Sequence, residues 1–138
     1  MQKIFLDTNV VIDFLGERRP FYESVAKILT LADNKKVKVF TSPTTISTTY
    51  YILTKFEGSK AALEKIRKFK LLSDISTMDG EVIDKAIHSN FKDFEDAMQY
   101  FSAIATNCDL IITRNERDFK SALIPTLNCE SYLQTLRK

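Results

Sequence analysis

The sequence is poor in the side chains that build zinc sites and nucleophilic catalytic pairs. Its 138 residues contain one histidine and two cysteines. Because His88 stands alone and Cys108 and Cys129 show no CxxC spacing, the composition argues against a zinc site and against a Ser-His or Cys-His pair. Two isolated thiols are typical of proteins from a reducing compartment, which predicts a cytoplasmic location.

The chain also lacks a strong net charge and a long apolar run. Twenty basic and eighteen acidic residues leave a net charge of +2, so bulk charge does not indicate nucleic-acid binding, and any contact with a polyanion has to be local. No stretch approaches the about 20 apolar residues of a membrane span, so no membrane partner is expected. The length is that of one globular unit, which predicts a single domain over residues 1–138.

Short apolar runs alternate with helical patterns along the chain. Strands are predicted at residues 4–6, 37–40, 71–75 and 109–115, with a short strand before a terminal helix that starts near residue 130. Helices are predicted at residues 20–32, 42–56, 59–69, 78–88 and from 93 onward, the last with an apolar stripe of Phe94, Ala97, Met98, Phe101, Ile104 and Ala105. Strands separated by helices imply parallel crossovers, which predicts a three-layer α/β/α sandwich with a central, mostly parallel sheet.

Oxygen-bearing side chains recur where predicted strands end. Asp7 directly follows the first strand, Asn115 and Asp118 follow a late strand, and Asp96 lies in the first turn of a helix. Parallel sheets bind ligands outside the carboxyl ends of their strands, so these residues are expected to share one edge of the domain. Carboxylate oxygens are the ligands that hard cations prefer, which predicts an Mg²⁺ or Mn²⁺ site at Asp7, Asp96 and Asp118.

Each of these carboxylates also has a structural explanation. Asp7 could form an Asx turn with the backbone two residues on. Asp93, three residues before Asp96, is assigned to a helix cap, while Asp96 stays open between a cap and a ligand. Asp118 could be a turn residue. Asp13, with apolar neighbours on both sides, is predicted to be a structural carboxylate hydrogen-bonded near the first loop.

Three segments in combination resemble a known family. They are "IFLDTNVVIDFL" at the start, "SPTTISTTYYIL" from residue 42, and "DFEDAMQYFSAIATNCDLIITRNERDF" over residues 93–119. Together they are similar to the PIN domain, in the form found in VapC-type toxins of bacterial toxin–antitoxin pairs, over residues 4 to about 127. The resemblance implies a PIN fold and an Mg²⁺- or Mn²⁺-dependent endoribonuclease that acts on RNA. It also implies a cognate antitoxin and a homodimer.

The resemblance assigns roles around the first strand and the late helix. Asp7 matches the family's first acidic ligand, and Thr8 and Asn9 form the turn beside it, with Asn9 orienting the carboxylate. Asp96 matches a later acidic ligand. Glu95 is a weaker candidate that could add charge to the site.

The segment after the late strand matches a T-x-D pattern of the family as Thr113-Arg114-Asn115. Asn115 would offer a carbonyl oxygen, Asp118 would supply the charge from slightly further on, and Thr113 would place a hydroxyl in the site wall. Arg114 and Arg117 flank the acidic edge and could hold an RNA backbone, although a solvated surface explains each of them equally well.

One departure from the family pattern concerns the helix that follows the second strand. A Glu is expected there, and Thr48 stands in its place, in a stretch with no acidic residue between Asp33 and Glu57. A hydroxyl cannot replace the charge of a carboxylate. The first rival hypothesis is therefore a catalytically weak or inactive PIN-like module that binds RNA or a protein.

A second rival is a phosphotransfer domain of the receiver or haloacid-dehalogenase type. Receivers need an acidic pair near the first strand, and dehalogenase-like enzymes need D-x-D. The chain has one acidic residue there, Asp7, and position 9 is Asn rather than Asp, so the phosphotransfer hypothesis is less favoured.

Aromatic residues on two predicted helices could form a groove for an antitoxin or a dimer contact. They are Tyr50, Tyr51 and Phe56 on one helix, and Phe21 and Tyr22 on another. Packing in the core is the default explanation for most of them.

Overall fold

Strands and helices alternate along the chain in the computed structural model, which describes residues 1–137. The strands are β1 (Gln2–Leu6), β2 (Val37–Thr41), β3 (Asp74–Ile75), β4 (Leu110–Ile112) and β5 (Thr126–Leu127). The helices are α1 (Thr8–Leu15), α2 (Tyr22–Asp33), α3 (Pro43–Glu57), α4 (Ser59–Lys70), α5 (Gly80–Ile87), α6 (Phe94–Ala105) and α7 (Cys129–Thr135), with a 3₁₀ helix at Glu116–Phe119. Among these residues no helix is long and apolar enough to cross a membrane.

The five strands form one parallel sheet in the order β3-β2-β1-β4-β5. β1 is central, with Ile4 paired to Val39 on one side and to Leu110 on the other. Continuous apolar runs are what parallel strands covered on both faces require, and Ile4, Phe5 and Leu6 are all fully buried. The predicted α/β sandwich is confirmed.

The two faces of the sheet bury separate clusters because successive side chains of a strand point to opposite sides. Ile4, Leu6 and Ile112 belong to a cluster that includes residues of α1, α2, α3, α4 and α7. Phe5 and Ile111 belong to a second cluster on the α6 side. The sheet is thus held between two helical layers.

Helix α1 was not predicted from the sequence. Its Thr-Asn-Val-Val-Ile start is rich in residues with low helix propensity, and a short apolar run of this kind is as typical of a buried strand as of a helix. Tertiary burial forms it nonetheless, since Val10, Val11 and Leu15 are almost completely buried. Asp7 caps the helix by accepting a hydrogen bond from the backbone N–H of Thr8.

Two other predictions were wrong in detail. The third strand covers only Asp74–Ile75, and Leu71, which was assigned to it, is 84% exposed. The buried face of α6 is rotated from the predicted stripe, because Phe94 is 48% exposed while Gln99 and Ser102 are buried. Buried polar side chains are invisible to a pattern that counts apolar residues alone.

The carboxyl ends of the strands meet at one edge of the sheet because every strand runs in the same direction. Backbone bonds cross between neighbouring strand ends there: the N–H of Asp7 donates to the carbonyl of Ile112 at 2.9 Å, and that of Thr113 to the carbonyl of Leu127 at 2.9 Å. This edge, which we call the acidic edge, carries Asp7, Thr113 and the start of α3.

Candidate active site

Asp7 is the most firmly held carboxylate of the acidic edge. Its side chain is 6% exposed. Oδ1 accepts from the backbone N–H of Thr8 at 2.9 Å and from Nε2 of Gln99 at 3.2 Å. Oδ2 accepts from the hydroxyl of Thr113 at 2.8 Å. Three neutral donors thus fix the orientation of the carboxylate without cancelling its charge.

The turn residues act on this carboxylate by different routes. Thr8 touches it through its backbone N–H, as described. Asn9 reaches it only through Thr113: Nδ2 of Asn9 lies 3.5 Å from the Thr113 hydroxyl oxygen, which itself donates to Asp7. Thr113 is completely buried and also accepts from the backbone N–H of Asn115 at 3.0 Å. The late strand therefore contributes a hydroxyl to the site, at the position the sequence indicated.

Asp96 lies among other negative charges. Asp93 caps α6 by accepting from the N–H of Asp96 at 3.1 Å, in line with the cap assignment. Burial raises the pKa of Asp96 to about 7, assisted by the negative charges of Asp7, Asp93, Asp118 and Glu95. Carboxylates from the turn after β1 and from the 3₁₀ helix thus raise the pKa of a carboxyl group in α6.

Glu95, the weaker candidate, lies within electrostatic range of Asp93 and Asp7. Although much of Glu95 is accessible to solvent, the partial burial of its carboxyl group and the negative charges of Asp93 and Asp7 raise its pKa. Asn115 and Asp118 lie on the solvent-exposed side of the acidic edge, which we call the open side. Both are exposed, and the N–H of Asp118 donates to the carbonyl of Asn115 at 3.0 Å, at the start of the 3₁₀ helix.

The donor set of the acidic edge fits a hard divalent cation in one respect and departs from the expected triad in another. Uncompensated negative charge from oxygen ligands is what such a cation neutralises. Within residues 1–137, however, no group of three or more His, Cys, Asp or Glu side chains is arranged to hold a metal ion. Mg²⁺ is commonly held by one or two carboxylates and several waters, so the absence of such a triad is compatible with Mg²⁺ as a ligand.

The α3 side of the site is neutral and was largely missed by sequence reasoning. Ser42, Thr45 and Gln99 are fully or almost fully buried and contact one another next to Asp7. Thr48 is half-buried and, in the described part of the chain, its hydroxyl makes no hydrogen bond to these residues. Thr45, three residues earlier, instead contacts the Thr8 hydroxyl at 2.8 Å.

A signal for Gln99 existed in the sequence. It stands three residues after Asp96, which places both on neighbouring positions of one helix face. It is also a polar residue between Met98 and Tyr100, inside the stretch that was interpreted as an apolar stripe.

Arg114 forms an ion pair with the buried carboxylate of Asp13. Its Nε and Nη2 donate to the two oxygens of Asp13 at 2.6 and 3.2 Å, and its guanidinium lies 4.2 Å from the ring centre of Phe21. Asp13 is completely buried in α1, so the prediction of a structural carboxylate is consistent with its position, although its partner comes from the far end of the chain. Burial raises the pKa of Asp13, and Arg114 and Arg18 oppose that rise.

The aromatic residues singled out in the sequence divide into two groups. Tyr22 stacks on Phe14 with ring centres 5.5 Å apart, and Tyr50 packs against the core. Tyr51 and Phe56 are 62% and 81% exposed at the outer side of α3.

Fold and site together define a class: an α/β sandwich with a wholly parallel sheet and an oxygen-rich acidic edge at the carboxyl ends of its strands. The PIN domain family model matches residues 3–117 of this chain. Ribonuclease VapC1 of Aquifex aeolicus (strain VF5) is 32% identical, over 96% of this chain and 94% of that protein. The chain belongs to the PIN domain family.

Solved structures share the fold at lower identity. DNA-bound VapBC from Salmonella typhimurium matches with a TM-score of 0.71 at 18% identity, over 94% of this chain and 99% of that one. VapBC2 from Rickettsia felis, bound to a DNA fragment from its promoter, matches with a TM-score of 0.68 at 18% identity, over 92% and 98% of the two chains. These similarities concern the fold alone.

Proposed function

We propose that this chain is a metal-dependent endoribonuclease of the PIN type and the toxin of a toxin–antitoxin pair. The observation that carries the proposal is the geometry of Asp7, a carboxylate that is 6% exposed at the carboxyl ends of parallel strands and is held by neutral donors alone, beside the acidic first turn of α6. It occurs in a chain that is 32% identical to a ribonuclease, Ribonuclease VapC1, over nearly its whole length. The substrate class is RNA, and the bond cleaved is a phosphodiester.

Asp7 and Asp96 are the residues that would hold Mg²⁺ or Mn²⁺, with Asp118 adding negative charge from the open side. The bound cation supplies Lewis acidity and offsets charge that develops on the phosphodiester. Thr113 and the N–H of Thr8 keep the Asp7 carboxylate in one orientation. Without a cation, Asp96 carries a proton about half of the time near neutral pH, because its pKa is raised to about 7.

The RNA backbone would be gripped locally because the net charge is only +2. Arg117 is exposed on the 3₁₀ helix next to Asp118 and is the better candidate for a phosphate contact. Arg114 uses two of its three guanidinium nitrogens for Asp13, which leaves Nη1 for RNA. Asn115 could offer its side-chain carbonyl at the same open side.

The test is cleavage of an RNA oligonucleotide pool with Mg²⁺, with Mn²⁺ and with EDTA. We expect cleavage that requires a divalent cation and is lost in Asp7→Asn and in Asp96→Asn. Asp93→Asn is the matched control, because Asn caps a helix as well as Asp does and activity should persist. Cleavage that survives both site changes and is insensitive to EDTA would contradict the proposal.

The rival function is a PIN-like module that binds RNA or a protein without cutting. Two observations favour it. Helix α3 brings a hydroxyl group to the site, from Thr45, and no carboxylate. Within residues 1–137, no group of three or more His, Cys, Asp or Glu side chains is arranged to hold a metal ion. RNA binding that is independent of Mn²⁺, with no cleavage at millimolar Mn²⁺, would favour this function.

The toxin role implies a cognate antitoxin and predicts an arrest of growth. Expression of the chain in a bacterial host should stop growth, expression of Asp7→Asn should not, and co-expression of a small neighbouring reading frame should restore growth. The exposed Tyr51 and Phe56 offer an apolar contact for that partner or for a second copy of the chain. The homodimer, the single-domain organisation over residues 1–138 and the cytoplasmic location stay predictions.

A further inference from the structure

A buried polar cluster lies where the family pattern led us to expect a carboxylate from α3. Its centre is Gln99, which is 1% exposed. Nε2 of Gln99 lies 3.2 Å from Oδ1 of Asp7, 2.8 Å from the Thr45 hydroxyl oxygen and 3.3 Å from that of Thr8. Oε1 of Gln99 accepts from the hydroxyl of Ser42. One amide therefore joins α6, the start of α3 and the turn after β1.

The chemistry of the partners sets the orientation of this amide. An ionised carboxylate only accepts hydrogen bonds, so the NH₂ group of Gln99 has to face Asp7 and the carbonyl has to face away. The hydroxyl of Ser42 caps α3 by accepting from the N–H of Thr45 at 3.1 Å. Its single proton goes to Oε1 of Gln99, which is a nearer acceptor than the Thr45 hydroxyl oxygen at 3.1 Å. The reversed amide would set two oxygens against each other at Asp7.

The same contacts decide which oxygen of Asp7 is left for a ligand. A carboxylate has about four lone-pair sites, two on each oxygen. On Oδ1 both are used, by the N–H of Thr8 and by Gln99. On Oδ2 one is used, by Thr113. Oδ2 is therefore the oxygen that keeps a free acceptor site.

We propose that Gln99 is a positioning residue that holds Asp7 so that Oδ2 alone faces the ligand. This inference rests on the proposed function, because it assumes that Asp7 binds a divalent cation during RNA cleavage. Gln99 does not touch the ligand itself, and it acts by occupying Oδ1 and by tying Asp7 to α3. Removing such a supporting hydrogen bond from a metal ligand typically costs 10- to 100-fold in metal affinity or activity.

The test compares Gln99→Leu with Ser102→Ala in the full chain. Gln99→Leu removes the donor to Asp7 at similar side-chain volume. Ser102→Ala is the matched control, since it removes the hydrogen bonds of an equally buried polar side chain on the same helix, to Ser76 and to the carbonyl of Thr77, and leaves every contact of Asp7 in place. Thermal unfolding by circular dichroism establishes that both variants are folded before any comparison.

The main readout is binding of Mn²⁺ alone, followed by the electron paramagnetic resonance signal of the free ion. We expect the Mn²⁺ dissociation constant to rise about tenfold or more in Gln99→Leu and less than threefold in Ser102→Ala. In an Asp7→Asn background, Gln99→Leu should have no further effect, because Gln99 acts through Asp7. Equal Mn²⁺ affinity of the parent and Gln99→Leu would overturn the inference, as would a parent chain that binds no Mn²⁺ at millimolar concentration.

RNA kinetics separate this inference from the proposed function. If the chain cleaves RNA, Gln99→Leu should lower kcat about tenfold and leave KM for RNA nearly unchanged. A rise in KM with unchanged kcat would contradict a positioning role. If the parent chain binds Mn²⁺ and cleaves no RNA, the proposed function fails, while the difference in Mn²⁺ affinity still tests Gln99.

Discussion

Asp7 and Asp13 are buried aspartates on one short segment, and their electrostatic surroundings are opposite. Asp7 is 6% exposed and receives hydrogen bonds from neutral donors, while other carboxylates act on the same edge. Asp13 is 0% exposed and is paired through both oxygens with Arg114. Burial is similar at the two positions, and the sign of the neighbouring charge differs.

This difference separates a structural carboxylate from a functional one. The charge of Asp13 is neutralised inside the fold by a guanidinium, so it needs no further ligand. The charge of Asp7 is oriented but not neutralised, and it adds to the charge of Asp96. Arg114 neutralises Asp13 within the fold, whereas Asp7 has no cationic partner among its hydrogen-bond donors.

The largest effect should come from exchanging one aspartate at a time for asparagine. Asp7→Asn should lower RNA cleavage by on the order of 10³-fold, because a metal contributes several kcal/mol to the transition state and loses a ligand. Asp13→Asn should lose about 3 kcal/mol of unfolding free energy, since Arg114 loses its buried partner, and should keep the kcat of the folded protein within a few-fold. Urea unfolding and single-turnover cleavage measure the two quantities. The contrast fails if Asp13→Asn abolishes cleavage in folded protein.

Arg114→Met tests the comparison through the pH dependence of the free energy of unfolding. It should cost about 3 kcal/mol at pH 8, because Asp13 stays buried without its partner. Burial already raises the pKa of Asp13, and loss of Arg114 raises it further. A folded-state pKa above the unfolded value means that stability is lost as pH rises through it, so the cost should be smaller at pH 5 than at pH 8, because lower pH favours the protonated form of Asp13. An equal cost at both pH values, by urea unfolding, would contradict the prediction.

Asp96→Asn should stabilise the metal-free protein. The pKa of Asp96 is raised to about 7 in the folded state, so its contribution to stability is full below the ordinary value of 3.8 and is lost as pH rises toward 7. We expect a gain of about 1 kcal/mol at pH 8 after allowance for solvent screening, and no gain at pH 4. Melting curves in EDTA measure this. Loss of stability at pH 8 would mean that Asp96 is structural in the way that Asp13 is.

Arg117→Gln should give the smallest effect. Arg117 is exposed and, within the part of the chain that the structure describes, takes part in no salt bridge, whereas Arg114 is paired. Loss of one phosphate contact should weaken RNA binding a few-fold and lower the slope of log K against log salt by about 0.7. Fluorescence anisotropy at several salt concentrations, with Lys120→Gln as an exposed control, checks this. An unchanged salt slope would remove Arg117 from the RNA contact.

The fold was accessible from the sequence to the extent that its patterns were local. The buried run at Ile4 to Leu6, the cap at Asp93 and the Ser42-Pro43 helix start each produced the expected element. Helix α1 was missed because its formation depends on burial of Val10 and Val11 between the sheet and other helices rather than on propensity.

The candidate site could also be predicted from the sequence only where local patterns indicated it. Thr113 was indicated only by the family resemblance, whereas Asp7 and Asp96 follow from the rule that ligands bind where parallel strands end at one edge. Gln99 and Thr45 did not follow from it, because a buried amide or hydroxyl becomes part of a site only when its partners from distant segments are known.

By itself, the sequence determined the alternation of strands and helices, and with it the edge where carboxylates gather, because apolar periodicity and capping are properties of neighbouring residues. Only the tertiary structure decided which carboxylate is neutralised. Asp13 pairs with Arg114, which lies 101 positions further along the chain, and Asp7 accepts a hydrogen bond from Gln99, 92 positions further along. Charge compensation depends on distance in space, and that distance is set by the packed sheet and its helices.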